Sequence, residues 1–374
     1  MTPLDSAARG PLSPDRARDD TPIWSSRRGF AVLGAGTALP GEPLPTEELL
    51  ERLVSRFAVD VRRCGRSVAH RLGIATRHIS RALEARCEAT RPGQANAELA
   101  ATAVKRALAE AGARVADLTY LIAHTATPGE LLPPNVVRIA RLLNYHGPFV
   151  ELRQACTGFA NALVLAHALL ETPGSGPIAV VGSETGSVYF DPLRAAEDRG
   201  QLVNLLQMGD GAAALLLGPD NAASRERLSH AFFGQAGLGL RPGLRLVGGG
   251  SEAPVPRGTV PEFEHEFDLV REHGMELFEC GAAAARSLAV DPRDMTYVIP
   301  HQANGRMAEL LAPHLGIAPR RVFVNAHRLG NTGSAAIWLA FAELRSRMKR
   351  GESVLVLGAE ATGHMFGGFR YVHG

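Results

Sequence analysis

The chain has 374 residues, 45% of them hydrophobic and 21% charged, with a formal net charge of +2. That length exceeds the size at which a single core usually stops growing, so two subdomains are expected. The near-neutral charge argues neither for nor against a nucleic-acid partner and no Lys/Arg run suggests one, so none is expected, and no apolar run is long enough to span a membrane.

In chain order, residues 1–28 are rich in Arg, Asp, Ser and Pro and lack an apolar segment. They read as a disordered tail, not a secretory signal. The folded part begins at Gly29-Phe30-Ala31-Val32-Leu33-Gly34-Ala35-Gly36, a short strand entering a glycine turn. No third glycine opens a helix behind it, so a dinucleotide site is not expected. Thr46 to Phe57 reads as a capped helix with Glu47 and Glu48 in its first turn. A basic connector follows, leading to Arg71-Leu72-Gly73-Ile74-Ala75-Thr76-Arg77-His78.

Ala95 to Ala111 reads as an alanine-rich helix feeding a buried strand, Asp117 to His124. A helix from Asn135 to Leu143 comes next, then an apolar strand that ends near Leu152. Gln154-Ala155-Cys156 forms a turn, and Gly158 to Leu170 continues as an almost uncharged helix. Pro177 to Gly182 and Ala212 to Leu217 read as further strands. The alternation predicts an α/β layered fold. The cysteines Cys64, Cys87, Cys156 and Cys280 lie far apart and form no C-x-x-C pair. That argues against zinc or a disulfide framework and fits a reducing cytoplasm.

An internal repeat organises the whole. Asp117-Leu118-Thr119-Tyr120-Leu121-Ile122-Ala123-His124 recurs as Asp294-Met295-Thr296-Tyr297-Val298-Ile299-Pro300-His301, shifted by 177 positions. Val180-Val181-Gly182-Ser183-Glu184 recurs as Val356-Leu357-Gly358-Ala359-Glu360, shifted by 176. Between them, Cys156-Thr157-Gly158 corresponds to Asn331-Thr332-Gly333, each followed by an apolar helix. The chain therefore divides into two like halves, 29–220 and 221–374, packed about a pseudo-twofold axis. That arrangement gathers Cys156, His301 and Asn331 at one place.

A cysteine at a helix N-terminus is expected to have a lowered pKa and to act as a nucleophile. Read from its own stretch, it is equally well a core residue. A thiolate there can take an acyl group from a thioester and hold it. A neutral imidazole and an amide can each donate one hydrogen bond to a developing enolate oxygen. The trio therefore suits a condensation in which a malonyl thioester loses carbon dioxide and the carbanion attacks the acyl-cysteine. Two alternatives stay open: an acyltransferase that passes the acyl group to an alcohol, amine or carrier thiol, and a silent subunit paired with an active relative.

Gln154-Ala155-Cys156-Thr157-Gly158-Phe159, His301-Gln302-Ala303-Asn304 and Gly330-Asn331-Thr332-Gly333-Ser334-Ala335 resemble the three active-site motifs of the 3-oxoacyl-(acyl carrier protein) synthase III family, in the thiolase superfamily. Met208-Gly209-Asp210-Gly211-Ala212 and the Arg71 to His78 stretch also match, and the resemblance runs from about Gly29 to Phe369. It implies a five-layered α-β-α-β-α fold and a homodimer. Acyl-CoA or acyl carrier protein thioesters would be the substrates, with no further cofactor and no metal. By position, Cys156, His301 and Asn331 would be catalytic. Arg71, Asn304, Arg306 and Gly363 would contact substrate or carrier, Asn304 by tethering the histidine motif and Arg306 by docking the acidic carrier. Glu130 would be a possible accessory base, against its reading as a solvated loop carboxylate.

The chain also departs from the pattern. Arg62 to His70 lacks the tryptophan that stacks on the CoA adenine in the family's primer synthases. The glycine-rich run before the C-terminus becomes Gly358-Ala359-Glu360-Ala361-Thr362-Gly363-His364-Met365. These changes point towards specialised polyketide or fatty-acid-like metabolism. His124, Glu184 and Glu360 read as buried structural groups, and Glu264, His265 and Glu266 are not expected to hold a metal. The stretch from Gly234 to Pro261 is expected to cover the site or carry specificity.

Overall fold

Two helices of this chain are predominantly apolar, and the architecture follows from burying them. The computed structural model describes residues 23–83, 94–172, 174–220, 225–237, 239–255 and 261–374. Its first half contains β1 (Ile23–Ser26), β2 (Phe30–Ala38), β3 (Leu44–Pro45), α1 (Thr46–Phe57), α2 (Arg62–Leu72) and β4 (Thr76–Arg77). It continues with α3 (Asn96–Ala111), β5 (Tyr120–His124), α4 (Asn135–Leu143), β6 (Phe149–Leu152), α5 (Gly158–Leu170) and β7 (Ile178–Glu184). It closes with α6 (Arg194–Glu197), α7 (Arg199–Gln207) and β8 (Gly211–Pro219). The second half contains β9 (Arg227–Gln235), β10 (Leu244–Val247), β11 (Glu262–His265), α8 (Phe267–Ser287) and β12 (Tyr297–Pro300). Then come α9 (Met307–Leu315), α10 (Ala326–Leu329), α11 (Ala336–Arg345), β13 (Ser353–Glu360) and β14 (Met365–Val372).

The pair is α5 and α11. Phe159, Leu163 and Ala166 of α5 meet Trp338, Phe341 and Leu344 of α11 in one cluster, with Ile122, Val180 and Leu215 from one sheet half and Ile299, Val356 and Phe369 from the other. A fully buried Leu or Phe contributes about 1.5–3 kcal/mol, which is why such helices occupy the middle layer. Outside the first sheet half lie α3 and α4. Outside the second lie α8 and α9. The result is the expected five-layered α-β-α-β-α fold of two duplicated halves.

Among the described residues ten strands form one sheet, in the order β12-β13-β14-β9-β2-β8-β7-β5-β6 with β1 beside β9. β2 meets the second half at a corner, through Phe30 opposite Leu228 and Ala31 opposite Arg227. The repeat is visible in the pairing: β5 runs parallel to β7, and β12 runs parallel to β13.

Two expectations need correction. The tail expected over residues 1–28 ends earlier, because Ile23–Ser26 pairs antiparallel with β9, Ile23 opposite Gly234 and Trp24 opposite Phe233. An edge strand offers unpaired backbone groups, and Trp24 packs against the central cluster. Residues 1–22 lie outside the described residues. The basic connector before Arg71 is the helix α2, whose Gly65, Val68 and Ala69 are buried while its arginines face outwards. Gly73, at φ 65°, closes it in the left-handed conformation that glycine adopts without cost.

Candidate active site

The cysteine turn joins β6 to the central helix. Cys156 is half-buried, and Thr157 is the N-cap residue of α5. The Thr157 N–H and Oγ1 both donate to Glu360 Oε2, each at 2.7 Å. Gln154 Nε2 donates to Thr157 Oγ1 at 2.9 Å, and Asn161 Nδ2 donates to Gln154 Oε1 at 2.7 Å. The turn is thus tied to its own helix and to the end of β13.

Burial pushes the pKa of the Cys156 thiol well up, and the nearby carboxylates of Glu360 and Glu184 push in the same direction. Only a backbone hydrogen bond opposes them. The expected lowering by the helix end is therefore reversed: the positive end of α5 is already met by a carboxylate.

His301 lies just past β12, with its N–H on Leu357 O at 2.8 Å. Its ring is buried, and burial lowers its pKa to about 4, so the imidazole is neutral. Its Nδ1 is enclosed and has no hydrogen-bond partner among the described residues. The turn behind it is held by Gln302, whose Nε2 donates to Pro300 O at 2.7 Å and whose Oε1 accepts the Asn325 N–H at 2.8 Å.

Asn331 is pinned at its backbone. Its N–H donates to Gln207 O at 2.8 Å, and its carbonyl accepts the Gly209 N–H at 3.0 Å. Its Oδ1 accepts the Gly333 N–H at 3.0 Å, which spends the oxygen on the local turn and leaves the NH2 to donate. Gln207 Nε2 reaches Ala303 O at 2.8 Å, joining the histidine turn to the asparagine turn.

The halves exchange carboxylates across the pseudo-twofold. Glu360 of the second half binds Thr157 of the first, while Glu184 of the first half accepts the Ser334 N–H at 3.0 Å and Oγ at 2.8 Å. Ser334 Oγ also lies 3.2 Å from Gln154 O, so the asparagine and cysteine turns touch. These bonds bring the Cys156, His301 and Asn331 turns to one junction. His124 plays the structural part expected of it: its Nε2 accepts Trp338 Nε1–H at 2.9 Å, and burial lowers its pKa to about 3.

The remaining sequence candidates are placed unequally. Arg71 is exposed and, with Arg199, lines two surface basins of about 500 and 620 Å3. The guanidinium of Arg306 caps α2, donating from Nη2 to His70 O at 2.8 Å and from Nε to Arg71 O at 3.1 Å. Asn304 Oδ1 accepts the Arg306 N–H at 2.9 Å, while Gln302 and Gln207 make the bonds to Pro300 and Ala303 that hold the histidine turn. Gly363 lies in the β13–β14 turn, where an added Cβ would sit 3.1 Å from Met365 Cε. Met365 Sδ is 3.6 Å from Gln154 Nε2, beside the cysteine turn. Glu130 is exposed on the loop after β5, next to the exposed Leu131 and Leu132.

Among the described residues no group of three or more His, Cys, Asp or Glu could hold a metal, and no helix is long and apolar enough to cross a membrane. The stretch from Gly234 to Pro261 contributes β10, whose Leu244 lines a cavity of about 20 Å3 with Asn331 and His265. His265 Nδ1 is 3.0 Å from Asn204 Oδ1. Residues 238 and 256–260 of that stretch lie outside the described residues. Sequence reading did not single out Gln207 or Gln302. One signal was present: Gln201, Asn204 and Gln207 recur every third residue, placing three amides along α7.

Comparison with known proteins agrees with this geometry. The profile of the 3-oxoacyl-[acyl-carrier-protein (ACP)] synthase III family matches residues 150–237, and that of its C-terminal region matches residues 285–370. The chain is 31% identical over 349 residues to a beta-ketoacyl-[acyl-carrier-protein] synthase III of Sphingopyxis alaskensis, covering 92% of this chain and 97% of the relative. It is 31% identical over 301 residues to the protein of that name from Nitratidesulfovibrio vulgaris, covering 77% and 85%. Among solved structures, the tetronic acid condensing enzyme AbyA1 superposes with a TM-score of 0.81 at 26% identity, covering 92% of this chain and all of that one. The 3-oxoacyl-(acyl carrier protein) synthase III of Pseudomonas aeruginosa gives 0.74 at 25% identity, covering 92% and 98%.

Proposed function

The chain belongs to the 3-oxoacyl-(acyl carrier protein) synthase III family, and from that premise we propose that Cys156, His301 and Asn331 carry out a decarboxylative Claisen condensation. Cys156 attacks an acyl thioester; the sulfur–acyl bond forms, the donor's C–S bond breaks, and the thiol proton passes to the departing thiolate. A malonyl-type thioester then loses carbon dioxide, and the negative oxygen of its enolate accepts hydrogen bonds from His301 and Asn331. The enolate carbon attacks the acyl-Cys156 carbonyl, the C–S bond to Cys156 breaks and the 3-oxoacyl thioester is released. The Cys156 sulfur takes up a proton from water to restore the thiol.

One observation carries this reading: Gln207 joins the His301 and Asn331 turns, and Ser334 joins the Asn331 turn to Gln154 beside Cys156. The neutral His301 imidazole keeps one ring N–H, which is free to donate to the enolate oxygen. The Asn331 NH2, freed by the bond from Gly333 to its oxygen, supports the same role.

The substrates are read as acyl-CoA or acyl carrier protein thioesters, with no further cofactor. The basins around Arg71 and Arg199 offer positive charge to a phosphopantetheine or carrier phosphate. The lining of the larger basin, from Asp60 to Ser67, contains no aromatic residue for an adenine, which favours a carrier-bound primer in specialised metabolism. A homodimer is supported by the exposed Leu131 and Leu132, 64% and 82% accessible on one loop. A cytoplasmic setting suits the unpaired thiols of Cys64 and Cys156.

The test is to incubate the protein with a panel of acyl thioesters, weigh it intact, and then add malonyl-carrier. One acyl adduct should form on the wild type, be missing from Cys156→Ala, and discharge with release of carbon dioxide. An enzyme that loads but never releases carbon dioxide is a simple acyltransferase, and the condensation reading fails.

A further inference from the structure

Glu360 is the residue at this site with no counterpart in the family pattern, where the equivalent run is glycine-rich. It is 2% exposed and accepts three hydrogen bonds: Thr157 N–H and Oγ1 on Oε2, each at 2.7 Å, and Thr362 Oγ1 on Oε1. Thr157 follows Cys156 directly, and its N–H is among those that a helix leaves unpaired at its positive end. Such an end can favour one negative charge beside it. Here that place is taken by the Glu360 carboxylate, so it is not available to a sulfur anion on the preceding residue.

The other groups packed on the junction do not restore the balance. Glu184, from β7, is a second carboxylate, held by Ser334 and Thr127, with the buried Asp210 behind it. His301, just past β12, and His124 of β5 are neutral, their pKa values lowered by burial. Arg153 of the cysteine turn pairs with Glu151 at 3.4 Å.

We propose that Glu360 is a positioning residue that ties the nucleophile's turn to β13 and, by occupying the helix end, makes Cys156 load acyl groups as a thiol deprotonated only during attack. No standing thiolate waits in the free enzyme. The inference rests on Cys156 being the nucleophile of the proposed condensation. In loading, the Cys156 sulfur bonds to the acyl carbon, the donor's C–S bond breaks, and the thiol proton leaves with the released thiol. The raised pKa of Cys156 agrees with the geometry. A standing thiolate would be open to oxidation and stray alkylation between turnovers. A protonated, half-buried thiol resists both.

The test is the pH dependence of Cys156 carboxamidomethylation by iodoacetamide, followed by peptide mapping so that other cysteines do not interfere. In the wild type the midpoint should lie above the ordinary thiol value of about 8.5. Glu360→Gln keeps an oxygen for Thr157 but removes the charge. Its midpoint should fall by at least about one pH unit, with roughly tenfold faster alkylation at pH 7. Glu360→Asp keeps the charge and should stay within half a unit of the wild type. Coincident midpoints for the wild type and Glu360→Gln would overturn the proposal. So would a wild-type midpoint below pH 7, a result that needs no variant to fold. Because alkylation requires no acyl thioester, a failure here is distinct from a failure of Cys156 to accept an acyl group.

Discussion

Asn331 and Gln207 are joined backbone to backbone, the Asn331 N–H donating to the Gln207 carbonyl at 2.8 Å. Gln207 is the last residue of α7, and its side chain continues to Ala303, two residues past His301. The buried guanidinium of Arg77 grips the same helix end through Leu206 O at 2.9 Å. A helix terminus that the family motifs do not include therefore sets the spacing between the two proposed enolate donors.

Gln207→Leu keeps the bulk and the backbone bond but strands the Ala303 carbonyl. A buried polar group left unpaired costs about 1–3 kcal/mol, to be read from chemical denaturation. Carbon dioxide release from malonyl-carrier should fall, while acyl loading of Cys156, measured by intact mass, should stay near wild type. Equal losses in both steps would show that Gln207 supports the whole junction and not the donor pair.

His301→Ala and Asn331→Ala each remove one proposed enolate donor. Loss of such a donor typically lowers turnover by about 10^2–10^3-fold. The deficit should appear in carbon dioxide release and be small in acyl loading. A variant that decarboxylates at the wild-type rate removes its residue from the mechanism.

Acid should destabilise the protein through its buried histidines. Burial lowers the pKa of His124 to about 3 and of His301 to about 4, below the ordinary value of about 6.5. Groups lowered in this way contribute stability that is complete above about pH 6.5 and is lost as the pH falls towards their folded values. Thermal melts between pH 7 and 4 should show the loss. His124→Asn should be less stable at pH 7, because Trp338 loses its acceptor, yet should lose less on acidification.

Gly158→Ala should injure both stability and the cysteine turn. An added Cβ would sit 2.6 Å from His124 Nδ1, which is ring and not flexible chain end. Overpacking of this kind costs about 1–3 kcal/mol. The melting temperature should fall, and Cys156 loading should slow in the folded fraction.

The sequence alone determined the two-part architecture and pointed to the three turns that the structure brings together. Both halves keep the same strand-end pattern at a nearly constant shift, so Cys156, His301 and Asn331 could be assigned to one junction before any coordinate. The almost uncharged α5 likewise announced a buried helix behind Cys156. The helix α2 was hidden because five of its eleven residues are Arg or His, while only Gly65, Val68 and Ala69 turn inwards. β1 was hidden because four residues beside a polar stretch carry little periodicity, and their partner strand lies about two hundred positions away.

What only the tertiary structure decided is the electrical setting of the nucleophile. A helix N-terminus read in isolation is positive and predicts an activated cysteine. Glu360 reaches that helix end from 203 residues beyond Thr157, and Glu184 enters from a third strand. Local sequence shows the helix dipole, because it depends on neighbouring residues. The carboxylate that meets it depends on how the two halves pack, and electrostatics inside a protein follow distance in space.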